Sequence, residues 1–205
     1  MACLVAEQSR IYEPQLGRKH SEKEKDMSII SVWVKPVVAA LAVIALSACS
    51  NHPPLVTVAA VDLERYSGDW YEVARLPNRF QTDCAGDVMA RYSEKGDDIA
   101  VLNRCRQANG EIMSAEGTAK VVVNSGNARL RISFFWPFYG DYYVLALDPD
   151  YQWALVGAPG RDYLWMLSRT PELPEDILTA LVQKAQSLGF NTEALQKTAQ
   201  VQPLP

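Results

Sequence analysis

The residue types that most often perform catalysis are scarce in this chain. Its two histidines, His20 and His52, both precede the series of β-type segments that begins near residue 66. A Ser-His or Cys-His nucleophile pair and a histidine-based metal site therefore cannot be assembled within that series. Glu72 could act as a general base only if burial raised its pKa. We expect a protein with no cofactor and no metal that is not an enzyme; a lipid-modifying enzyme dependent on Glu72 is the weakest alternative.

An apolar run near the N-terminus predicts export. Residues 37–46 (VVAALAVIAL) are all apolar and follow Lys35 at a short distance. The run is too short for a transmembrane helix, which needs about 20 apolar residues, but it fits the central region of a secretory signal peptide. The residues Leu46-Ser47-Ala48-Cys49 resemble the lipobox of bacterial lipoproteins, in which the cysteine is acylated and becomes the mature N-terminus. The alternative is a buried helix that ends in cysteine by chance.

This segment divides the chain into four parts. Met27 would open a signal peptide of ordinary length, so the polar residues before it are a doubtful extension or an unusually long leading region. The expected parts are the extension (1–26), the lipoprotein signal peptide (27–48), a lipidated tether (49–60) and the folded domain (61–205). By resemblance to the sorting pattern of lipoproteins, Ser50 after the cysteine favours the outer membrane, with the domain facing the periplasm.

Two cysteines remain once Cys3, in the extension, and Cys49 are set aside. Cys84 and Cys105 flank a predicted hairpin. An even number of cysteines in an oxidising compartment favours pairing. We therefore expect a disulfide between them, and two free thiols are the alternative.

The composition is that of an ordinary globular protein. Of the 205 residues, 48% are hydrophobic and 21% are charged, and the formal net charge is −4. These values exclude a disordered chain or one with many membrane spans. The mild acidity argues against a nucleic-acid partner, which would require a basic patch.

Short β-type runs separated by turn residues fill most of the domain. Such regular up-and-down strands leave two edge strands with unpaired backbone groups unless the sheet closes on itself. We therefore predict an all-β fold, an eight-stranded up-and-down antiparallel barrel, whose interior is about wide enough for one small ligand. The predicted strands are residues 70–76, 88–93, 99–105, 116–123, 128–135, 142–147, 152–157 and 163–168.

The hydrophobic period changes after the last of these strands. Leu173-Pro174-Glu175-Asp176 begins a segment with one apolar face, and Gly189 ends it, which predicts an amphipathic α-helix. A helix with a single apolar stripe must pack on something, and the outer wall of the barrel is the available surface. A last short strand is expected within residues 192–201. The apolar face consists of Ile177, Leu178, Leu181, Val182, Ala185 and Leu188.

Three short blocks carry a resemblance to a known family. Gly68-Asp69-Trp70-Tyr71, Asp150-Tyr151 and Arg169 resemble the three conserved blocks of lipocalins, in the same order and beside the same strands. Longer runs, among them Phe134 to Gly140 and Asp162 to Pro171, resemble the Blc-like outer-membrane lipocalins of bacteria over roughly residues 60–200. The Cys84/Cys105 pair departs from that pattern. The resemblance implies a binder of fatty acids or lysophospholipids, and it leaves a homodimer open.

The three blocks also have a physical interpretation. If Trp70 and Arg169 meet at the closed end of the barrel, the guanidinium can lie over the indole face, a contact that contributes roughly 0.5 to 2 kcal/mol. That role is structural, and we expect neither residue to touch a ligand.

Alternation along each strand predicts which side chains line the interior. Small residues are mixed with large ones on that face, which favours a hollow over a filled core. The lining is mostly apolar with a few polar groups, as in small-molecule sites. The alternatives are a filled barrel and a scaffold lipoprotein without a ligand. The expected lining residues are Glu72, Ala74, Val88, Ala90, Tyr92, Val101, Asn103, Gly117, Ala119, Leu130, Ile132, Phe134, Tyr142, Val144, Tyr163 and Trp165, together with Ile99, Ala146 and Leu167.

Strand direction places one set of loops at the open end. Exposed aromatics there could contact an acyl chain or the membrane interface. Guanidinium groups in the same loops, including that of Arg106, could bind a phosphate or carboxylate head group. The expected residues of the mouth are Arg79, Trp136, Phe138, Tyr139 and Arg161.

Overall fold

The computed structural model describes residues 52–204. The predicted signal peptide, Cys49 and the polar extension lie outside the described residues. Among residues 52–204, no helix has the length and apolar character needed to cross a membrane.

Eight antiparallel strands form the closed barrel that the sequence predicts. Each strand pairs with its neighbour in sequence, and the first strand also pairs with the eighth, so the sheet closes. The predicted locations of all eight are confirmed, although several strands are longer than expected. They are β1 (Gly68–Arg75), β2 (Cys84–Lys95), β3 (Asp98–Gln107), β4 (Ile112–Val121), β5 (Arg129–Phe135), β6 (Phe138–Leu147), β7 (Trp153–Gly157) and β8 (Leu164–Ser168).

Helices flank the barrel at two places. A single turn, α1 (Leu63–Tyr66), precedes β1; Asp62 caps it by accepting hydrogen bonds from the backbone N–H groups of Glu64 and Arg65. The predicted amphipathic helix is α2 (Glu175–Ser187), which buries Leu178, Leu181 and Ala185. A 3₁₀ turn (Thr192–Ala194) and the short strand β9 (Gln196–Lys197) follow it.

The hydrophobic residues form two clusters on opposite sides of the barrel wall. The inner cluster includes Trp70, Tyr92, Leu130 and Val144. The outer cluster joins the outward-facing side chains of β1, β6, β7 and β8 to the apolar face of α2. This arrangement confirms that the helix packs against the outside of the barrel.

The C-terminal segment, residues 196–204, completes the wall between β1 and β2. These two strands pair directly only through Gly68–Tyr71 and Met89–Tyr92. Beyond that point β9 pairs with β1, the N–H of Thr198 donates to the carbonyl of Val73, and the N–H of Asp87 on β2 donates to the carbonyl of Ala199. We call this stretch of the wall the seam.

Irregularities in the strand pairing reverse two expectations about the lining. The register of β1 against β8 shifts between Glu72 and Ala74. As a result Ala74 packs in the outer cluster beside Val73, and its predicted place in the lining is wrong. A similar shift in β6, between Val144 and Ala146, turns Ala146 outward. Simple alternation fails at a bulge because one extra residue changes the face of everything that follows.

The N-terminal segment is bound to the barrel rather than loose. Leu55 is buried in the outer cluster, and the N–H of Val61 donates to the carbonyl of Gly126 at the closed end. Of the expected tether, residues 52–60 therefore run along the barrel wall.

Candidate ligand site

The closed end is organised by Arg169, as its resemblance to the third lipocalin block implies. Its guanidinium carbon lies 3.9 Å from the centroid of the Trp70 ring, so the expected contact is present. The same group donates to the backbone carbonyls of Asp69, Arg65 and Tyr151. One cation thereby ties β1, α1 and the β6–β7 turn together.

Two residues of the other blocks make this approach possible. Gly68 has a φ of +92°, and a Cβ added there would lie 3.4 Å from Nη1 of Arg169. A side chain at this position would therefore be strained in its backbone and crowd the guanidinium. Tyr151 lies against Arg65, and its hydroxyl accepts a hydrogen bond from the N–H of Asp62. Asp150, in the same turn, is exposed.

Above this group, aromatic side chains fill the lower half of the barrel. The hydroxyls of Tyr66 and Tyr92 both hydrogen-bond that of Tyr142, at 2.7 and 2.9 Å, and Trp70 donates its indole N–H to the carbonyl of Tyr66. We call these four residues the floor. Burial raises the pKa of Tyr92 to about 12 and also raises the pKa values of Tyr66 and Tyr142.

The floor changes the role expected of several lining residues. Tyr92 and Tyr142 satisfy each other's hydroxyls, and hardly any of their surface is exposed. Tyr66 was not anticipated, because nothing in its local sequence shows that α1 directs it into the barrel. Ile99, Val101, Ala119, Leu130, Val144 and Leu167 are likewise buried within the inner cluster. The lower interior is therefore packed, and any hollow is confined to the upper half.

In the upper half, inward-facing residues keep contact with solvent. Ile132 and Trp165 belong to the inner side of the wall yet are only half-buried, and so are Ala90, Asn103 and Gly117. Phe134 lies against Gly117, where an added Cβ would be 2.8 Å from the ring, and remains 45% exposed. An inward-facing side chain that solvent reaches must border an opening. We call the space bordered by these six residues the hollow.

Asn103 is the polar member of this set. Its Oδ1 atom is buried and accepts no hydrogen bond. A buried acceptor without a partner costs free energy, about 1–3 kcal/mol for such a group. The atom is therefore a ready acceptor for a donor group that enters the hollow.

Glu72 lies at the seam and is almost completely buried. Its carboxylate accepts hydrogen bonds from Gln81 at 2.6 Å and from the hydroxyl of Thr198, and Arg75 lies 3.2 Å away. Burial raises its pKa, although these three partners act in the opposite direction. Because its oxygens are already used, Glu72 holds the C-terminal segment to the barrel and is not the free orienting group that we expected.

Val88 is also displaced from its expected role. The pairing of β2 with β3 shifts between Gly86 and Met89, and Asp87 there has a φ of +49°. Val88 borders a small crevice of about 220 Å³ beside β9, and its carbonyl accepts a hydrogen bond from Gln200. It belongs to the seam, so its expected place in the hollow is wrong.

An aromatic ladder stands on one side of the mouth. Phe80, Tyr163 and Trp165 follow one another at centroid distances of 5.7 and 5.8 Å. Arg79, which is exposed, lies over the ring of Phe80 at 5.0 Å. The indole N–H of Trp165 donates to Gln81, which connects the ladder to the Glu72 network. The sequence did not single out Gln81 or Phe80, since both lie in a loop without periodicity.

A second aromatic group is the turn between β5 and β6. Phe135, Trp136 and Phe138 are all exposed, and the rings of Phe135 and Phe138 stack at 6.4 Å. We call these three residues the aromatic tip. Tyr139 faces the outer side, where Arg131 lies over its ring.

Two arginines expected at the mouth are engaged elsewhere. Arg161 is buried and donates to the carbonyls of Leu188, Pro159 and Pro53, so it caps the end of α2. Arg106 pairs with Asp87 at 2.6 Å and donates to the carbonyls of Gly110 and Gln202. Neither guanidinium is available for a head group, and the prediction for Arg161 is wrong.

The predicted disulfide is present near the mouth. Cys84 and Cys105 are bonded and join β2 to β3. The mouth is therefore braced covalently on the side where the seam begins.

A further cleft lies outside the barrel. It encloses about 660 Å³ along the outer faces of β2, β3 and β4, beside Trp136 and Tyr139. Its lining mixes charged side chains such as Arg91, Lys95 and Glu116 with apolar ones. In the described part of the chain, no group of three or more His, Cys, Asp or Glu side chains could hold a metal ion.

Comparisons with known proteins agree with this geometry. Residues 61–200 match the model of the lipocalin-like domain. The chain is 42% identical to temperature-induced lipocalin-1 of Arabidopsis thaliana over 152 residues, which cover 70% of this chain and 81% of that protein. It is 40% identical to the outer membrane lipoprotein Blc of Citrobacter freundii over 168 residues, covering 79% and 94%.

Solved structures show the same fold at lower identity. Insecticyanin from the tobacco hornworm Manduca sexta superimposes with a TM-score of 0.61 at 18% identity, over 73% of this chain and 86% of that one. The family match and the two relatives together establish the conclusion that the three sequence blocks suggested. This chain belongs to the lipocalin family, whose members bind or carry small hydrophobic ligands rather than catalyse reactions.

Proposed function

We propose that this protein binds single-chain lipids, fatty acids or lysophospholipids, and stores or carries them at the bacterial outer membrane. The observation that carries the proposal is the hollow: inward-facing apolar residues that solvent reaches, above a floor of buried aromatics. An apolar space with one open end suits the acyl chain of a lipid.

Asn103 supports a polar head at the end of that chain. Its buried, unpartnered Oδ1 can accept a hydrogen bond from a hydroxyl or a protonated carboxyl. Glu72 at the seam, Arg106 and Arg161 already bond other groups of the protein. The Oδ1 atom of Asn103 therefore stands as the unsatisfied acceptor within the hollow.

The location is proposed from the N-terminal sequence and from relatives. Leu46-Ser47-Ala48-Cys49 resembles a lipobox, and relatives in Citrobacter freundii and Vibrio cholerae are named outer membrane lipoproteins. We therefore place an acyl anchor on Cys49 and the domain in the periplasm. Multiple acyl chains give a firm attachment because each buried methylene adds about 0.8 kcal/mol.

Titration of the purified protein with a fluorescent fatty acid tests the proposal. Ile132→Trp fills the hollow, whereas Leu102→Trp makes the same change of size on the outer face. We expect saturable binding by the unchanged protein, at least a tenfold loss for Ile132→Trp, about 1.4 kcal/mol, and no loss for Leu102→Trp. Absence of saturable binding, or equal affinity of the two variants, would contradict the proposal.

Asn103→Leu tests the head-group contact separately. We expect it to weaken binding of a lysophospholipid about fivefold, near the net value of one hydrogen bond, about 1 kcal/mol. An uncharged fluorescent dye without a hydrogen-bond donor is the control ligand, and its affinity should not fall. A parallel loss for both ligands would assign Asn103 a purely structural role.

A further inference from the structure

We propose that the open end of the barrel is a membrane-docking surface, so that the mouth faces the lipid leaflet that holds the anchor. The partner is a phospholipid surface, contacted by the aromatic tip and by Phe80. The orientation of the mouth towards the membrane rests on the proposed acyl anchor at Cys49. The contact with lipid rests on the described aromatic and basic residues of the open end.

Exposed aromatic side chains are concentrated at one end of the described domain. Five large exposed aromatics, Phe80, Phe134, Phe135, Trp136 and Phe138, all lie at or beside the open end, and Ile112 is close to the same rim. Phe135 and Trp136 are 76% and 79% exposed. Exposed apolar side chains that cluster, as those of residues 134–138 do, mark interaction sites.

The chemistry around these aromatics suits a bilayer interface. Trp side chains are enriched at the level of the head groups, and Trp and Phe side chains occupy the membrane-facing side of interfacial helices. Two arginines lie over rings at this end, Arg79 over Phe80 at 5.0 Å and Arg131 over Tyr139 at 5.3 Å. Such pairs present an apolar ring with a cation beside it, which matches acyl chains beneath anionic phosphates.

Within residues 52–204, the closed end has no comparable group of large exposed aromatic side chains, and its large exposed apolar side chain is Val123. Arg65 lies over the ring of Tyr151 at this end, and carboxylates are exposed at both ends, so the exposed aromatics are what distinguishes the two. A lipid surface would therefore gain little by contacting that end. The asymmetry between the two ends gives docking a direction.

The described N-terminal segment begins at the open end of the barrel. Nη2 of Arg161, in the open-end loop between β7 and β8, donates to the carbonyl of Pro53 at 2.6 Å. His52 is close to Gly189, just beyond the end of α2, where an added Cβ would lie 3.6 Å from its Nδ1 atom. Cys49 precedes His52 by three positions, a span of at most about 11 Å in an extended chain. The described chain therefore begins at the open end, three positions after the proposed acylation site.

These two observations have a joint consequence for lipid transfer. If the anchor and the aromatic tip enter the same leaflet, a lipid can pass between the leaflet and the hollow without crossing water. Anchoring and ligand entry are then two uses of one end of the barrel.

Fluorescence quenching by brominated lipid tests the orientation. The full-length lipoprotein is purified from membranes and placed in vesicles of phosphatidylethanolamine and phosphatidylglycerol with dibrominated acyl chains. We expect strong quenching of tryptophan emission, reduced at least twofold by Trp136→Phe. Trp153→Phe is the matched control, because Trp153 packs in the outer cluster away from the tip, and it should leave the quenching by lipid in place.

A second pair of variants covers the rest of the tip. Phe135→Ser with Phe138→Ser is expected to lower the quenching of Trp136 and the rate of fatty-acid transfer to acceptor vesicles, whereas Val123→Ser at the closed end changes neither. Equal quenching in Trp136→Phe and the unchanged protein would overturn the proposal. So would burial of Trp136 by a second copy of the chain, seen as a concentration-dependent dimer whose tryptophans bromolipid does not quench.

The outcomes separate this proposal from the proposed function. Saturable fatty-acid binding without quenching would overturn docking and support lipid binding. Quenching without fatty-acid binding would support docking and overturn lipid binding. Mass spectrometry of the same sample reports acylation of Cys49; quenching of Trp136 in protein without that modification would support docking by the tip while overturning the anchor.

Discussion

The guanidinium of Arg169 lies 3.9 Å from the centre of the Trp70 ring and donates to three backbone carbonyls. The two residues are 99 positions apart in sequence, so this contact closes the bottom of the barrel across most of the domain. The planar shape of the guanidinium matters here. A flat cation can stack on the indole ring and at the same time direct its N–H groups sideways to the carbonyls.

Replacement of Arg169 should therefore destabilise the fold without altering the ligand site. We expect Arg169→Met to lower the free energy of unfolding by about 2–3 kcal/mol through the loss of charged hydrogen bonds. Arg169→Lys keeps the charge but cannot reproduce all three hydrogen bonds. Its free energy of unfolding should therefore lie between those of the unchanged protein and Arg169→Met. Denaturant unfolding measures the change, and fatty-acid affinity well below the denaturation midpoint should stay constant. A stability of Arg169→Lys equal to that of the unchanged protein would show that only charge matters.

The tyrosines of the floor should contribute unequally. Tyr142 is the shared hydrogen-bond partner of Tyr66 and Tyr92. Tyr142→Phe leaves two buried hydroxyls without that partner and should cost about 1–3 kcal/mol for the unsatisfied groups. Tyr92→Phe leaves the Tyr66–Tyr142 bond in place and should cost less. If thermal unfolding ranked the two variants in the reverse order, the hydrogen-bonded chain would not be what stabilises the floor.

The disulfide should stabilise the domain mainly by restricting the unfolded chain. Cys84 and Cys105 are 21 positions apart. Loop-closure entropy for a loop of this size corresponds to about 3 kcal/mol. We expect Cys84→Ser with Cys105→Ser to lose that amount in denaturant unfolding under oxidising conditions. Reductant should bring the unchanged protein to the level of the double variant and leave the double variant unaffected.

Glu72 should make stability depend on pH in an unusual direction. Burial raises its pKa in the folded protein above the ordinary value of 4.5. The folded state therefore favours the protonated carboxyl, and ionisation costs stability as the pH rises through the folded pKa. We expect the stability of Glu72→Gln relative to the unchanged protein to increase from pH 4.5 towards neutrality. Denaturant unfolding at several pH values provides the measurement.

Asp87 supplies a control of opposite sign. Although burial acts to raise its pKa, hydrogen bonds from Arg106 and from the backbone N–H groups of Gln202 and Val201 lower the pKa below its ordinary value of 3.8. Its stabilising effect is present above pH 3.8 and is lost as the pH falls through the folded pKa. Asp87→Asn should therefore be destabilised at neutral pH and converge with the unchanged protein in acid. The same pH trend for both variants would contradict the assignment for Glu72.

Local patterns were sufficient for the strands, the helix and the disulfide. The turn at Gly96-Asp97 joins β2 to β3, within the gap left between the predicted strands 88–93 and 99–105. The apolar stripe of α2 predicted its packing correctly, since burial of one face every 3.6 residues is a property of the helix itself. The contact between Trp70 and Arg169 could be predicted because both residues belong to blocks that resemble the conserved blocks of lipocalins.

The site was harder to predict because lining and filling a barrel require the same side chains. Alternation assigns Leu130 and Ile132 to the same face, yet Leu130 is buried in the floor region and Ile132 borders the hollow. The difference is their height in the barrel, because Leu130 is nearer the closed end, where Tyr66 enters from α1 and helps to fill the interior. Ala74 was misplaced for a related reason, because the adjacent register shift depends on strand pairing that no local pattern records.

The sequence alone determined the closed antiparallel barrel, the outer helix and the pairing of Cys84 with Cys105, because each follows from short-range periodicity, turn chemistry or the number of available partners. Only the tertiary structure decided how much of the interior stays open, that Arg161 and Glu72 serve the backbone and the seam, and that Pro53 lies at the end where the aromatic tip is exposed. These features arise where segments distant in sequence meet, and a hydrogen bond between such segments depends on the path of the whole chain rather than on the residues beside it.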